Sequence, residues 1–219
     1  MLFANKTSKD MVLRFFTSFS EREQNVMLET YFKFTFVREP FERLLSAYKD
    51  KFVHLRSEDH YYRARYGRQI LKNYRPNASR RSLKELNDIK FREFMEYLVK
   101  RGSDRTNSVM DRHWDNYVNV CGMCDIEYDF IGHYETMEQD LLDFIKAARL
   151  SPQNAKRFLE FRYTPSKTNA SLLNYYSQIP LKWIDTLGKI YNASFRMFGY
   201  SFPGPLKSLY ENKTEAAVT

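Results

Sequence analysis

Long apolar runs and cysteines are both scarce in this 219-residue sequence. No apolar run approaches the roughly 20 residues that a membrane-spanning helix needs. The first ten residues, MLFANKTSKD, do not show the basic, apolar and small-residue layout of a signal peptide. With 43% hydrophobic and 16% aromatic residues, the composition is that of a folded chain rather than a disordered one. We therefore expect one globular domain.

Acidic residues are absent from the stretch between Tyr61 and Lys84. Its eight basic residues equal the net charge of +8, so the rest of the chain is close to neutral. Such a stretch can be a solvated basic face, or it can be a surface that attracts a polyanion. The interleaved tyrosines Tyr62, Tyr66 and Tyr74 suit stacking on sugar rings or on bases. The basic residues are Arg63, Arg65, Arg68, Lys72, Arg75, Arg80, Arg81 and Lys84.

The glycosylation acceptor pattern Asn-x-Ser/Thr occurs more often than the content of these residues predicts by chance. Such sites are used in the secretory lumen, so the excess favours a lumenal glycoprotein that meets polysaccharides rather than DNA. The alternative is a basic nucleic-acid-binding protein, which predicts unmodified sites and a cytosolic or nuclear location. The five acceptor residues are Asn5, Asn77, Asn169, Asn192 and Asn212.

The two cysteines, Cys121 and Cys124, have the spacing C-x-x-C. A zinc site would need two further ligands, and His113 alone does not complete one. The surrounding sequence also lacks the thioredoxin-like context of a redox motif. In an oxidising lumen the pair is expected to form a short-loop disulfide, with two buried thiols as the alternative.

Two short segments have the pattern of buried β-strands. FKFTFV, residues 32–37, is aromatic and β-branched on both faces, and YDFIGHY, residues 128–134, is the second such segment. Apolar residues recur at helical spacing after Pro40, and proline suits the first turn of a helix. Strands that alternate with helices predict an α/β fold with a mostly parallel sheet flanked by helices.

The other helix boundaries are predicted from local capping signals. After the last apolar helix the sequence predicts a flexible tail over residues 203–219, which leaves residues 1–202 for the domain. The remaining predicted helices cover residues 10–31 or begin at Asp88, at Thr136 in a capping box with Gln139, at Ser151-Pro152 and at Pro180.

The stretch VREPFERLLSAYKDKF places Arg38 at the exit of the first strand and Ser46 about two turns into the following helix. In parallel α/β units, ligands bind at the carboxyl ends of strands, where helix N-termini present free N–H groups. The planar fork of an arginine can hold a phosphate through two hydrogen bonds, and the serine can reach the same anion. The residues therefore predict a phosphate site, with an ion-paired arginine and a surface serine as the alternative.

Several longer motifs follow one another between residues 31 and 202. They are VREPFERLLSAYKDKF, YYRARYGRQILKNYRPNAS, IKFREFMEYLV, HWDNYVNVCGMCDIEYDFIGHYETMEQD and FRMFGY. In content and order they resemble the Golgi carbohydrate sulfotransferases. The branch in question includes the chondroitin and dermatan 4-O-sulfotransferases and the glucuronyl 3-O-sulfotransferase of the natural-killer epitope.

This resemblance implies a P-loop-like sulfotransferase fold that transfers sulfate from 3′-phosphoadenosine 5′-phosphosulfate to a sugar hydroxyl, with no metal ion. Arg38 and Ser46 would contact the donor 3′-phosphate, and His113 or Glu135 would be the base that takes the hydroxyl proton. The acceptor would be a glycosaminoglycan or related glycan rather than a nucleic acid. Its expected contacts are Arg63, Arg65, Arg68, Lys72 and Arg75. The donor segment is Arg38, Glu39, Pro40, Phe41, Glu42, Arg43, Leu44, Leu45 and Ser46.

One expected motif is missing. The family carries an upstream strand and basic loop that hold the 5′-phosphosulfate, and no such unit precedes residue 31. We therefore expect an N-terminally incomplete domain, with a membrane anchor in the full-length protein and a location on the lumenal side of the Golgi membrane. The expected activity is chondroitin or dermatan 4-O-sulfation. The alternative is a non-catalytic, lumenal glycan-binding or partner protein with the same fold.

Overall fold

A pair of parallel strands forms the sheet in the described part of the chain. The structure is a computed structural model that describes residues 16–54, 60–104, 110–160 and 168–215, without the side chains of 168–170 and 212–215. Strand β1 (Phe34–Val37) pairs in parallel with β2 (Phe130–His133), so that Phe34 lies opposite Phe130 and Val37 opposite His133. The predicted α/β class with a parallel sheet is confirmed, although most of the described chain is helical.

Helices follow both strands. The α-helices are α1 (Glu21–Thr30), α2 (Pro40–Tyr48), α3 (His60–Tyr62), α4 (Arg68–Tyr74), α5 (Arg80–Glu85), α6 (Phe91–Ser103), α7 (Tyr117–Cys121), α8 (Met137–Ala147), α9 (Pro152–Leu159), α10 (Thr168–Tyr176), α11 (Leu181–Ile190), α12 (Asn192–Met197) and α13 (Lys207–Glu215). Two π-helical segments, Lys49–Val53 and Arg63–Gly67, continue α2 and α3 without a break. In the part of the chain that the structure describes, no helix is long and apolar enough to cross a membrane.

Phenylalanines hold the sheet against α8. Phe144 of α8 is buried, and its ring lies 4.3 Å from that of Phe34 and 5.8 Å from that of Phe130. Gly132 in β2 makes room for this cluster, because a Cβ atom there would lie 2.4 Å from the ring of Phe36. The aromatic run that predicted β1 is thus also the run that anchors it.

The main core forms where α6 packs against α4 and α11 and where α2 packs against α10. Its largest fully buried side chain is Trp114, whose ring lies 5.4 Å from that of Phe94 and 6.2 Å from that of Phe52. On α10, the hydroxyl of Tyr176 donates a hydrogen bond of 2.9 Å to the carbonyl of Phe41 in α2. This packing fixes the position of α2 immediately after β1, where the phosphate site was predicted.

Two predicted helix starts are wrong in detail. Within the described residues, the first helix begins at Glu21, because Ser20 forms a capping box with Glu23. The helix predicted to begin with Asp88 has Lys90 as its N-cap, since the Asp88 carboxylate accepts hydrogen bonds from Arg75 and Ser82 instead. The start of α8 is confirmed, since Thr136 is its N-cap residue, but the predicted capping box is not formed because the Thr136 side chain makes no capping hydrogen bond.

The starts predicted at Ser151 and Pro180 are confirmed. Ser151 accepts a hydrogen bond from the backbone N–H of Asn154, and Pro180 is the N-cap of α11. The flexible tail, however, is wrong for the described residues. Helical structure continues from Gly204 to Glu215, and Leu206 there is fully buried against the core.

Candidate functional site

Arg38 lies at the carboxyl end of β1, one residue before the N-cap of α2. Its side chain is buried and forms an ion pair of 2.8 Å with Glu42, one turn further along the helix. The guanidinium also lies over the ring of Tyr134, 4.5 Å from its centroid. The ion pair with Glu42 and the stacking on Tyr134 together fix the orientation of the Arg38 guanidinium. It lies at the carboxyl end of a strand, where α/β folds bind ligands.

A polar stripe follows Arg38 along the same face of the helix, through Glu42, Ser46 and Lys49. These residues are spaced by four, four and three positions, which places them one above another. The Lys49 ammonium donates a hydrogen bond of 2.6 Å to Ser171 of α10. Burial lowers the pKa of Lys49, and the nearby positive charge of Arg38 lowers it further. Lys49 and Arg38 are thus close enough for their charges to interact, and Glu42 and Ser46 lie between them in the sequence of the stripe.

Lys49 and Ser171 were not among the residues predicted for the site. Lys49 had one signal in the sequence, because it follows Ser46 by three positions and lies off the apolar stripe of the helix. Ser171 had none, since it is 122 positions away and is brought to the site only by the packing of α10 on α2.

The remaining residues of the predicted donor segment have structural roles. Phe41, Leu44 and Leu45 are fully or almost fully buried in the core, and Pro40 occupies the first turn of α2. They shape the site by fixing the helix and do not offer polar groups to a ligand.

Arg43 in the same segment is engaged with the protein backbone. Its guanidinium donates hydrogen bonds to the carbonyls of Asp115 and Arg112, the latter at 2.9 Å, and lies 4.3 Å from the ring centroid of Tyr117. The geometry therefore assigns Arg43 to holding the 112–115 loop against α2 instead of binding the donor.

Glu39 is the N-cap of α2 and is almost completely buried. One carboxyl oxygen accepts a hydrogen bond of 2.8 Å from the backbone N–H of Glu42, whereas Oε1 has no hydrogen-bond partner among the described residues. Burial raises the pKa of Glu39 to about 7, and the neighbouring charges of Glu42 and Glu135 contribute to the increase. The folded protein thus binds this proton more tightly than the unfolded chain, whose glutamate pKa is near 4.5.

We expect the wild type to lose unfolding free energy as the pH rises, and we expect Glu39→Gln to abolish that part of the loss. Because the folded pKa of Glu39 is raised, its contribution is fully present below about pH 4.5 and is lost as the pH rises through about 7. The free energy of unfolding of the wild type should therefore fall between pH 5 and pH 8 by up to about 3 kcal/mol more than that of the variant. Urea denaturation at both pH values measures this difference. Glu127→Gln, at an exposed position, is the control, and equal pH dependence of Glu39→Gln and wild type would contradict the assignment.

Glu135, one of the two candidate bases, joins the end of β2 to the start of α2. Its Oε1 accepts a hydrogen bond from the backbone N–H of Glu39, and its Oε2 accepts one from the hydroxyl of Tyr200, both at 2.8 Å. Both carboxylate oxygens of Glu135 therefore accept hydrogen bonds that connect the end of β2 with the start of α2 and with Tyr200.

His113, the other candidate base, is oriented by a carboxylate. Its Nδ1 lies 2.6 Å from Asp111 Oδ1 and 3.1 Å from the hydroxyl of Tyr62. Burial opposes ionisation of Asp111, but the hydrogen bonds from His113 and from Tyr66 lower the pKa of that carboxyl overall. If Nδ1 carries the proton that it shares with Asp111, Nε2 is the ring nitrogen that can accept one. Histidine held by aspartate is a common arrangement for a general base.

The predicted acceptor residues lie in different surroundings. Only Arg65 among them lines a cleft of about 520 Å³ beside His113. Arg68 and Lys72 are exposed elsewhere on the basic segment, and Arg63 is half-buried. Arg75, which was expected to contact the acceptor, is engaged within the protein. It donates two hydrogen bonds of 2.6 and 2.7 Å to Glu93 and also forms an ion pair with Asp88. We call the cavity the tyrosine cleft and define it by Tyr61, Tyr62, Arg65, Tyr66, Arg101 and Arg112.

The predicted disulfide is not formed. Cys121 ends α7 and Cys124 follows in the next turn, and both are free thiols in the structure. Burial raises the pKa of Cys121, although a hydrogen bond with Thr35 opposes the increase, so the thiol form fits its surroundings. No group of three or more potential metal ligands occurs within residues 16–54, 60–104, 110–160 and 168–215.

Two of the five predicted glycosylation sites have described side chains. Asn77 is exposed in the turn between α4 and α5, and Asn192 is exposed at the start of α12. The predicted acceptors Asn5, Asn169 and Asn212 lie outside the residues whose side chains are described. Glycosylation of the chain remains a prediction.

Several curated proteins are similar in sequence to this chain. Carbohydrate sulfotransferase 11 of Rattus norvegicus is 33% identical over 204 residues, which cover 93% of this chain and 56% of the rat protein. Carbohydrate sulfotransferase 8 of Homo sapiens is 39% identical over 180 residues, which cover 80% of this chain and 41% of the human protein. For carbohydrate sulfotransferase 14 of Danio rerio the identity is 37% over 192 residues, with coverages of 87% and 50%.

This chain therefore spans about half the length of the curated relatives it matches. No solved structure shows a significant match. The sequence profile of the sulfotransferase family matches residues 3–201, which is most of the chain. On this match and on the relatives that cover most of its length, the chain belongs to the sulfotransferase family.

Proposed function

We propose that this chain transfers sulfate from 3′-phosphoadenosine 5′-phosphosulfate to a hydroxyl group of a glycan. The observation that carries the proposal is the anion half-site after β1, where Arg38 lies at the strand end beside α2, and Ser46 and Lys49 follow Glu42 at helical spacing along α2 and its continuation. Arg38 supplies a planar fork, Lys49 a point charge and Ser46 a hydroxyl, and together they suit a phosphate group. We assign the 3′-phosphate of the donor to this half-site, and membership of the sulfotransferase family supports that assignment.

The transfer step needs little covalent chemistry from the protein. The acceptor oxygen forms a bond to the donor sulfur, and the bond from sulfur to the 5′-phosphate oxygen breaks. The electron pair of that bond leaves with 3′-phosphoadenosine 5′-phosphate. Catalysis of such a step consists mainly of positioning and of neutralising charge on the leaving phosphate. In this scheme Arg38 and Lys49 hold the nucleotide end of the donor in place while its sulfur reacts.

The proton of the acceptor hydroxyl is assigned to His113. Asp111 holds Nδ1 at 2.6 Å, and Arg43 holds the loop that carries His113 against α2. Arg43 is thus a positioning residue that links the anion half-site to the base. Glu135 is less suited to the role, because its two oxygens accept hydrogen bonds from Glu39 and Tyr200.

The more detailed proposal concerns the acceptor and the location. Chondroitin or dermatan 4-O-sulfation is our preferred activity, and several carbohydrate sulfotransferases, numbers 8, 11 and 14 among them, are similar to this chain. The exposed Asn77 and Asn192 support a glycoprotein in the secretory lumen. We propose a place on the lumenal side of the Golgi membrane, with attachment through an anchor of the full-length protein.

The proposal is tested by calorimetry with 3′-phosphoadenosine 5′-phosphate and by transfer of labelled sulfate to chondroitin. We expect a dissociation constant in the micromolar range, on the order of −8 kcal/mol of binding free energy. Adenosine 5′-monophosphate differs from it only by the missing 3′-phosphate and is the matched control, which should bind at least about tenfold more weakly. Nucleotide binding with sulfate transfer supports the proposal. A folded chain that binds neither nucleotide contradicts it, and glycan binding without transfer would favour the non-catalytic alternative.

A further inference from the structure

We propose that the junction of α11 and α12 holds the turn that carries His113, and that Tyr191 and Ser194 are positioning residues for this base. The inference rests on the proposed function, because it explains how the base of that reaction is kept in place. We call residues 111–116 the His113 turn. Arg43 of α2 supplies one support of this turn, and the α11–α12 junction supplies the second.

Side chains from other elements hold the His113 turn. Within the turn, the backbone N–H groups of Trp114 and Asp115 donate to the carbonyl of Asp111, at 2.9 and 2.8 Å. The carbonyls of Arg112 and Asp115 instead accept hydrogen bonds from the guanidinium of Arg43. Backbone carbonyls that lie outside regular structure need such donors. The position of the turn therefore depends on the side chains that supply them.

Tyr191 supplies the donor for the carbonyl of Trp114, the residue that follows His113. Its hydroxyl oxygen also lies 3.8 Å from the sulfur of Met110, so Tyr191 meets the chain both before and after the base. Tyr191 is 1% exposed, and burial raises the pKa of its hydroxyl, which therefore keeps its proton and remains a donor. Loss of this hydroxyl would leave the Trp114 carbonyl without this donor, next to the base.

Asn116 fastens the end of the turn to both helices of the junction. Its side-chain N–H donates a hydrogen bond of 2.9 Å to the carbonyl of Ile190, the last residue of α11. Its side-chain oxygen accepts a hydrogen bond from the hydroxyl of Ser194 in α12. Ser194 is 1% exposed, so this bond is shielded from water, where a hydrogen bond is electrostatically stronger.

The junction rests on the same core as the donor half-site. Helix α11 packs against α6, and the ring of Phe195 in α12 lies 5.3 Å from that of Phe41 in α2. Helix α2 also carries Arg43 and Ser46. Both supports of the His113 turn thus connect the base to the helix of the proposed donor site. A displacement of a catalytic group by about 1 Å can cost about 100-fold in rate, so these contacts bear on catalysis as well as on stability.

The first test is steady-state kinetics of sulfate transfer to chondroitin by Tyr191→Phe, which removes a single hydroxyl. We expect kcat to fall at least about tenfold. The KM for the glycan and the affinity for 3′-phosphoadenosine 5′-phosphate should stay within about twofold of the wild type, because neither ligand touches Tyr191. Since Tyr191 acts through His113, adding Tyr191→Phe to His113→Gln should lower kcat no further.

The matched control is Tyr48→Phe. The hydroxyl of Tyr48 is also buried and donates a hydrogen bond of 2.8 Å to a loop carbonyl, that of Ile89. Tyr48→Phe should therefore lose a similar amount of unfolding free energy and keep its kcat. Equal losses of kcat in the two tyrosine variants would show a general effect of buried hydroxyls and would overturn the inference.

Ser194→Ala tests the second contact, and Asn192→Gln is its control. Ser194 completes the glycosylation pattern at Asn192, so Ser194→Ala removes both the predicted acceptor site and the hydrogen bond to Asn116. Asn192→Gln removes the acceptor site alone. We expect Ser194→Ala to lower kcat at least about threefold and Asn192→Gln to leave kcat unchanged. Equal losses would assign the effect to the glycan and would overturn the role of Ser194.

Hydrogen exchange of residues 111–116 measures the positioning independently of sulfate transfer. Tyr191→Phe should speed exchange of the Trp114 and Asp115 N–H groups at least about tenfold, and Tyr48→Phe should not. Unchanged exchange in Tyr191→Phe would overturn the inference, and so would additive losses of kcat in the double variant with His113→Gln. A wild type that transfers no sulfate contradicts the proposed function instead, and the exchange rates then still decide whether the junction holds the turn.

Discussion

Substitution of His113 by glutamine is expected to lower kcat for sulfate transfer by about 10²- to 10⁴-fold, the usual contribution of a general base. Glutamine retains a hydrogen-bonding side chain of similar length but cannot take up the hydroxyl proton. The affinity for 3′-phosphoadenosine 5′-phosphate should not change, since the proposed nucleotide site is formed by Arg38, Ser46 and Lys49 on another element. Steady-state kinetics and calorimetry on the same preparation measure both quantities.

Two further variants define the role of His113. Asp111→Asn should also lower kcat, by a smaller factor, because it removes the carboxylate that orients Nδ1 and leaves the imidazole in place. His54→Gln, at an exposed position, should have no effect. A His113→Gln variant that is folded, as shown by circular dichroism, and keeps more than half of kcat would exclude His113 as the base.

Arg38→Ala is expected to have two large effects, one on folding and one on binding. Loss of the guanidinium leaves the carboxylate of Glu42 buried without its ion-pair partner, which typically costs about 3–5 kcal/mol of unfolding free energy. The affinity for 3′-phosphoadenosine 5′-phosphate should fall at least about tenfold, or 1.4 kcal/mol, since the fork that grips the 3′-phosphate is gone. Urea denaturation and calorimetry separate the two effects.

The double variant Arg38→Ala/Glu42→Ala distinguishes a binding role of Arg38 from a structural one. Removing Glu42 as well eliminates the unpaired buried charge, so part of the lost stability should return. The lost affinity should not return, because no group replaces the fork. Ser46→Ala, which changes a single hydroxyl, should weaken binding to a smaller extent and leave stability nearly unchanged. A double variant that binds the nucleotide as tightly as the wild type would show that Arg38 only neutralises Glu42.

The join between β1 and α2 could be predicted because its signals are local. A run of aromatic and β-branched residues gave the strand, Pro40 gave the helix start, and Arg38 stood between them. The parallel partner of β1 was also found in this way, from the similar pattern of residues 128–134. Such features depend on neighbours a few positions apart, and the sequence displays those directly.

The features that were missed depend on distant partners. Ser171 reaches Lys49 across 122 positions, and Tyr62 reaches His113 across 51. Arg75 belongs to a run without acids, yet two carboxylates outside that run, Asp88 and Glu93, fold back onto it. The predicted cap at Asp88 failed for the same reason, because a longer-range partner took the side chain. Local propensity cannot reveal which of several possible partners tertiary packing supplies.

The π-helical segment Lys49–Val53 fixes the rotation, about the helix axis, of the residues that follow it relative to the residues of α2. A π-turn is equivalent to one residue inserted into an α-helix, and in this chain it follows Ser46 of α2 and includes both Lys49 and Lys51, which lies against Tyr62 of the tyrosine cleft. Without that residue, everything after the turn would be rotated by about 100° around the helix axis. Phe52 would then leave its place beside Trp114. In the proposed reaction, this single additional residue would therefore set the direction from which a sugar hydroxyl approaches the donor sulfur.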